Sequence, residues 1–231
     1  MSWCELAFLH WPFPKNVLES GLPRGLELDT FEGEAWLGIV PFRMADVRAR
    51  LLPPVPTLAN FAELNVRTYV VAGGKPGVWF YSLDAESLLA VRAARRGFHL
   101  PYLDARMAVA RDGGVVSYRS ERTHRGAPEA RLVARYRGTG NRAGAVRGSL
   151  EHWLTERYCL YAADEKGKLF RGEIHHRKWP LEEGEVELER VDMTRLVGTS
   201  LPDSRPLVHV SERIDVIAWW LEPLESDGLR T

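Results

Sequence analysis

Four polar side chains occupy every second position of one short segment: Glu63, Asn65, Arg67 and Tyr69. Leu64, Val66, Thr68 and Val70 lie between them. A strand sends alternate residues to opposite faces, so the four share one face. Together they offer a carboxyl acid/base, an amide, a permanently charged guanidinium and a phenol. Glu63 and Arg67 are about 13 Å apart along an extended strand, too far to pair directly, so each needs another partner or a ligand. Two placements of this face are open. On the outside of a sheet it is a solvated surface opposite an apolar core. Lining an enclosed space, it makes Arg67 an anchor for a carboxylate. Burial there raises the pKa of Glu63 toward the range that suits proton transfer near neutral pH.

Arg43 ends the apolar run Ala35–Phe42. It either emerges at a rim or points inward as a second carboxylate anchor, where its planar fork binds bidentately. Other catalytic patterns are absent. There is no GxSxG or HExxH, and Gly138-Thr139-Gly140 lacks the rest of a dinucleotide or P-loop fingerprint, so no cofactor is expected. His175 and His176 are adjacent, and neighbours on a strand face opposite ways, so no metal site is expected of them. Cys4 and Cys159 form no CxxC, and reduced thiols are expected. Ser82 has no identifiable base.

The elements that must position this row follow from turn residues and periodicity. Pro14 and Gly21 bound a short helix. Leu22–Phe42 reads as a hairpin turning at Glu32-Gly33, and the very apolar Ala35–Phe42 suggests a strand covered on both sides. Phe61–Val71 and Val78–Ser82 are strands about the turn Gly73–Gly77. A helix is expected next, with Asp84 as N-cap, arginines in its last turns and Gly97 as its stop. Short strands follow at Met107–Arg111, Val115–Glu121 and Ala130–Arg137, and a second short helix begins after Ser149. Strands at Arg157–Ala163, Leu169–His175 and Glu185–Val191, a helical turn near Met193–Leu196, and strands around Val208 and Ile214–Leu221 complete the chain. The expected class is α+β, mainly β: antiparallel sheets forming an open or conical barrel with a few peripheral helices. A single domain over residues 1–231 accommodates this.

Three segments resemble the acetoacetate decarboxylase superfamily: Leu22–Asp29, Asn60–Val66 and Leu83–Tyr102. A closer resemblance, over most of the chain, is to the YqjF-like bacterial proteins assigned to that superfamily. It is carried by FLHWP, AWLGIVPFRM, FAELNVRTYV, GVWFYSLDA, LPYLDARM and LTERYCLY. The resemblance implies the barrel fold, and it implies that Glu63 takes the position of the superfamily's cavity carboxylate. It also exposes a departure. The decarboxylase turn runs Pro-Lys-Lys, one lysine forming the Schiff base. Here the matching residues are Pro101, Tyr102 and Leu103. Schiff-base decarboxylation is therefore not expected. Tyr102 and Arg106 flank the altered turn, and Tyr102 is either an ordinary half-buried aromatic or a hydroxyl directed into the cavity as a hydrogen-bond donor.

The expected function is binding of a small organic acid or carbonyl compound, with Glu63 and Tyr102 as candidate catalytic groups and Arg43, Asn65, Arg67 and Arg106 as candidate ligand contacts. Lyase-like acid/base chemistry is one version, a non-catalytic sensing module another, and a structural protein with a filled barrel a third. Formal charge is zero, and the arginines of 122–147 are matched by the glutamates of 182–189, so a nucleic-acid partner is not expected. No apolar run approaches the ~20 residues of a membrane helix, and the start lacks a signal-peptide pattern. A cytoplasmic location is the default. Trp219-Trp220 hints at a homo-oligomeric contact.

Overall fold

The computed structural model describes residues 1–47, 60–86 and 98–224. In chain order its elements are β1 (Ser2–Phe13), α1 (Lys15–Ser20), β2 (Glu27–Leu28), β3 (Ala35–Ala45), β4 (Phe61–Ala72), β5 (Lys75–Ala85), β6 (Tyr102–Asp112), β7 (Val115–Arg122) and β8 (Arg131–Arg142). Then come α2 (Leu150–Thr155), β9 (Cys159–Ala163), β10 (Leu169–His176), β11 (Glu182–Val191), β12 (Leu207–Ala218) and β13 (Glu222–Pro223).

The strands form one large sheet that is ring-closed in part and is not a regular barrel. Its spine is the antiparallel ribbon β12-β1-β3-β4-β5. Both edges of this ribbon fork. β5 pairs with β6 through Leu83–Ala85 and with β9 through Val78 and Trp79. β12 pairs with β11 through His209 and Val210, and with β10 through Val216–Ala218. The strands β6, β7, β8 and β11 therefore connect the two edges by one route, and β9 and β10 by another.

Each face of the ribbon packs against one of these routes. Leu9, Trp11, Leu37, Ile39, Leu64 and Val66 join Met107, Tyr118, Leu132 and Tyr136 of β6–β8 in one core. Leu6, Phe8, Val40 and Phe42 join Trp179, Leu181 and Val216 in a second. β4 is consequently buried on both faces. The two placements weighed for its polar row, outer surface or lined interior, resolve to an interior one.

Several expected elements differ in detail. Leu22–Phe42 is not a hairpin: β2 pairs with β4, and only Phe31 and Glu34 bridge across the turn. The N-terminal twelve-residue strand has no strand signature in sequence. Apolar residues fall on both its faces, and a bulge at Glu5, whose φ is 52°, breaks the alternation. β5 runs on to Ala85, so Asp84 is a strand residue rather than a helix cap. The helix expected up to Gly97 lies outside the described residues. The β5 pairings with β6 and β9 are parallel, not antiparallel. The 86–101 connection is long enough for such a crossover. The last two expected strands are one, β12, and Trp219 and Trp220 follow it, 47% and 73% exposed.

Candidate functional site

Glu63, Asn65, Arg67 and Tyr69 are all buried, at 3%, 5%, 8% and 0% exposure. The register explains how they are assembled. Glu63 stands beside Phe42, Asn65 beside Val40, and Arg67 beside Gly38 on β3. One strand further, Gly38 stands beside His10. A Cβ on Gly38 would come within 3.1 Å of the His10 ring and 3.4 Å of Arg67 Cγ. Glycine thus lets these two side chains close over the strand between them. α2 covers this end, where the Trp153 ring lies 4.6 Å from that of Tyr69 and Leu154 packs against it.

At the other end the Tyr102 hydroxyl donates to Glu63 Oε2 at 3.1 Å. Burial pushes the Glu63 carboxyl up to about 8, against the pull of that hydrogen bond. At neutral pH the group is therefore mostly a carboxylic acid that can donate a proton. Burial and the neighbouring carboxyl hold the Tyr102 phenol well above its usual range, so it stays protonated.

Arg67 is the unusual member. Nη2 donates to Leu154 O at 3.3 Å and to Tyr69 Oη at 3.4 Å. Its guanidinium carbon lies 5.2 Å from the Phe8 ring centre. Among the described residues Nε has no hydrogen-bond partner, and neither has Asn65 Oδ1. Among the described residues three arginines are buried: Arg67, Arg122 and Arg157. Arg122 pairs with Asp84 at 3.0 Å and Arg157 with Asp29 at 2.7 Å. Among the described residues no carboxylate lies within ion-pair distance of Arg67. A charge buried without a counter-ion is costly, and an anion placed beside it offsets that cost.

Against this geometry stand the comparisons with known proteins. The model of the DUF2071 family, described as an uncharacterized conserved protein, matches residues 1–215. The chain belongs to this family. It is 42% identical over 218 residues to the uncharacterized protein YqjF of Bacillus subtilis (strain 168), covering 94% of this chain and 89% of that one. Among solved structures it resembles acetoacetate decarboxylase from Legionella pneumophila, with a TM-score of 0.65 at 12% identity, covering 97% of this chain and 86% of that one. It also resembles the enduracididine biosynthesis enzyme MppR complexed with pyruvate, with a TM-score of 0.65 at 10% identity, covering 98% and 90%. These likenesses establish an acetoacetate decarboxylase-like fold for this DUF2071 chain.

Of the residues singled out in sequence, Glu63, Asn65, Arg67 and Tyr102 come together on this buried face. Two do not. Arg43 donates to Glu5 Oε2 at 3.0 Å, and its side chain is 39% exposed. It follows Phe42 on β3, so alternation turns it away from the row. Arg106 is 79% exposed, with only a long contact to Glu121. It sits between Ala105 and Met107, whose side chains enter the first core. The five lysines are exposed or half-buried, Lys75 being paired with Glu173. None belongs to the buried row.

Sequence reasoning missed two parts. His10 accompanies Arg67 but comes from the unrecognised β1. The Asp84–Arg122 pair, with Ser82 Oγ accepting from Arg122 Nη2 at 3.1 Å, lies in the other core. Val116, Tyr118, Ser120 and Arg122 are the buried positions of β7, so period-two reading places Arg122 inward. Cys4 and Cys159 are buried free thiols. Among the described residues no helix is long and apolar enough to cross a membrane.

Proposed function

We propose that this protein binds a small carboxylate- or carbonyl-bearing compound against the buried face of β4. The reading rests on one observation above all: Arg67 is a buried cation to which the described residues give no carboxylate, whereas Arg122 and Arg157 each have one. A ligand carboxylate supplies the missing charge, in the bidentate or charge-assisted geometry that a guanidinium favours. Asn65 Oδ1 accepts from a ligand hydroxyl or enol. Glu63, protonated at neutral pH and braced by Tyr102, serves as an acid toward a developing oxyanion or carbanion and, once ionised, as the matching base. The pyruvate bound by the structural neighbour MppR supports this ligand class. With Tyr102 in the altered turn and every lysine elsewhere, the chemistry proposed is acid/base rather than imine-forming.

Calorimetric titration with pyruvate and with acetoacetate at pH 7 tests this. At least one is expected to bind, and Arg67→Met is expected to weaken it by about 100-fold, the order of losing a charge-assisted pair. Exchange of solvent deuterium into the bound probe, lost in Glu63→Gln, is the expected sign of acid/base turnover. Equal affinity in wild type and Arg67→Met contradicts the anchor role.

A further inference from the structure

His10 is fully buried on β1, across Gly38 from Arg67. Its Nε2 lies 2.7 Å from Tyr69 Oη, which also receives Arg67 Nη2–H. A guanidinium only donates, so Tyr69 is the acceptor in that contact. The phenol's own proton is then free to go to His10 Nε2. In that arrangement Nε2 is an acceptor and the ring proton resides on Nδ1. The opposite tautomer leaves two buried groups unsatisfied, the Tyr69 hydroxyl proton and the Nδ1 lone pair. The first leaves only one, Nδ1–H, which has no partner among the described residues.

The ring edge that meets Gly38 is Cδ2–Nε2, so Nδ1 faces away from β3. The charged and titratable neighbours agree with a neutral ring. Arg67 approaches from β4 and His209 from β12, and both oppose a positive charge on His10, as burial does more strongly. Tyr69, from β4, contributes the hydroxyl just described. His209 Nδ1 and Ser211 Oγ on β12 are likewise buried without partners among the described residues. Polar capacity therefore extends from Arg67 across β1 to β12, and Phe8 packs beside both Arg67 and His10.

Resting on the ligand reading above, we infer that His10 is a second ligand contact that sets specificity: a neutral imidazole, fixed by Tyr69, that donates Nδ1–H to an acceptor atom carried a few bonds from the ligand's carboxylate. The preferred ligands are thus small acids with an oxo, hydroxyl or second carboxylate group rather than plain monocarboxylates. A buried donor that finds no acceptor on the ligand stays unsatisfied, and this is what separates the two classes.

Pyruvate, lactate and propionate are the probes, since they share a three-carbon acid skeleton and differ in the second acceptor. The wild-type protein is expected to bind pyruvate or lactate at least about 10-fold more tightly than propionate. His10→Phe is expected to erase that preference, and His10→Gln to restore part of it. Nitrogen-15 spectra of the labelled wild-type protein provide a readout that needs no variant. His10 is expected to show a protonated Nδ1 and an unprotonated Nε2, with the Nδ1 resonance moving on pyruvate addition and not on propionate addition. Equal binding of the three acids, a preference that survives in His10→Phe, or a proton on Nε2 overturns the inference while leaving the Arg67 anchor standing. Failure of all three acids to bind removes the ligand reading itself and this inference with it.

Discussion

Replacing Arg122 with methionine is expected to cost about 3–5 kcal/mol of folding stability, the typical penalty for stranding one member of a buried ion pair. Arg122 and Asp84 have side-chain exposures of 1% and 0%. Arg122 Nε donates to both carboxylate oxygens, at 3.0 and 3.2 Å, and its Nη atoms reach Pro128 O and Ser82 Oγ. Burial raises the Asp84 carboxyl to about 6 even with the guanidinium opposing it. Without Arg122 the carboxylate has no counter-charge and must be buried ionised or take up a proton. The double change Asp84→Leu, Arg122→Met is expected to recover most of the loss, because an apolar pair removes the desolvation penalty together with the attraction. Urea unfolding of the two single variants and the double variant measures this. A double variant as unstable as the sum of the singles contradicts the pairing argument.

The second large effect concerns Glu63 and pH. Its carboxyl titrates near 4.5 in an unfolded chain and about 8 when buried here. Between those values the folded protein holds a proton that the unfolded chain has released. The associated stability is fully present below pH 4.5 and is lost as pH rises through 8. Between pH 6.5 and 9 the loss amounts to about 2 kcal/mol. Asp84 is displaced in the same direction, but its contribution is largely spent by pH 6, so the upper window reports mainly on Glu63. Glu63→Gln, which cannot ionise, is expected to flatten the profile over pH 6.5–9 and to exceed the wild type at pH 9. Parallel profiles for the two proteins contradict the assignment of a buried, neutral carboxyl. The acid role proposed for Glu63 predicts that any activity depending on it falls in the same pH window.

How much of this was legible in sequence depends on the strand. The centre of β4 places Glu63, Asn65, Arg67 and Tyr69 at every second position, and that pattern alone grouped them on one face. It did not say that both faces are buried, because the cover comes from Trp153, Leu154 and Trp179, far along the chain. The link from Glu63 to Tyr102 came from resemblance to a family turn, not from periodicity. β1 was opaque for a physical reason: Leu6 and Phe8 feed one core and Ala7, Leu9 and Trp11 the other, so nothing alternates. Nothing in that pattern singles out His10. Asp84 followed Leu83 and preceded Glu86 in a sequence that imitates a helix start, whereas the pairing of Leu83–Ala85 with β6 keeps it in a strand. Arg43 and Arg106 were tied to the site by proximity in sequence, and alternation along their own strands turns them elsewhere.

On the proposed function, Arg67 is kept in the interior for a ligand rather than for the fold. Unfolding free energy of ligand-free Arg67→Met, read beside its affinity for pyruvate, tests it most directly. A charge without a counter-ion burdens the folded state, so the account predicts that the variant is more stable than wild type by about 1–3 kcal/mol and binds pyruvate at least tenfold more weakly. A variant that is less stable, with pyruvate affinity unchanged, would make Arg67 a structural residue and contradict the account.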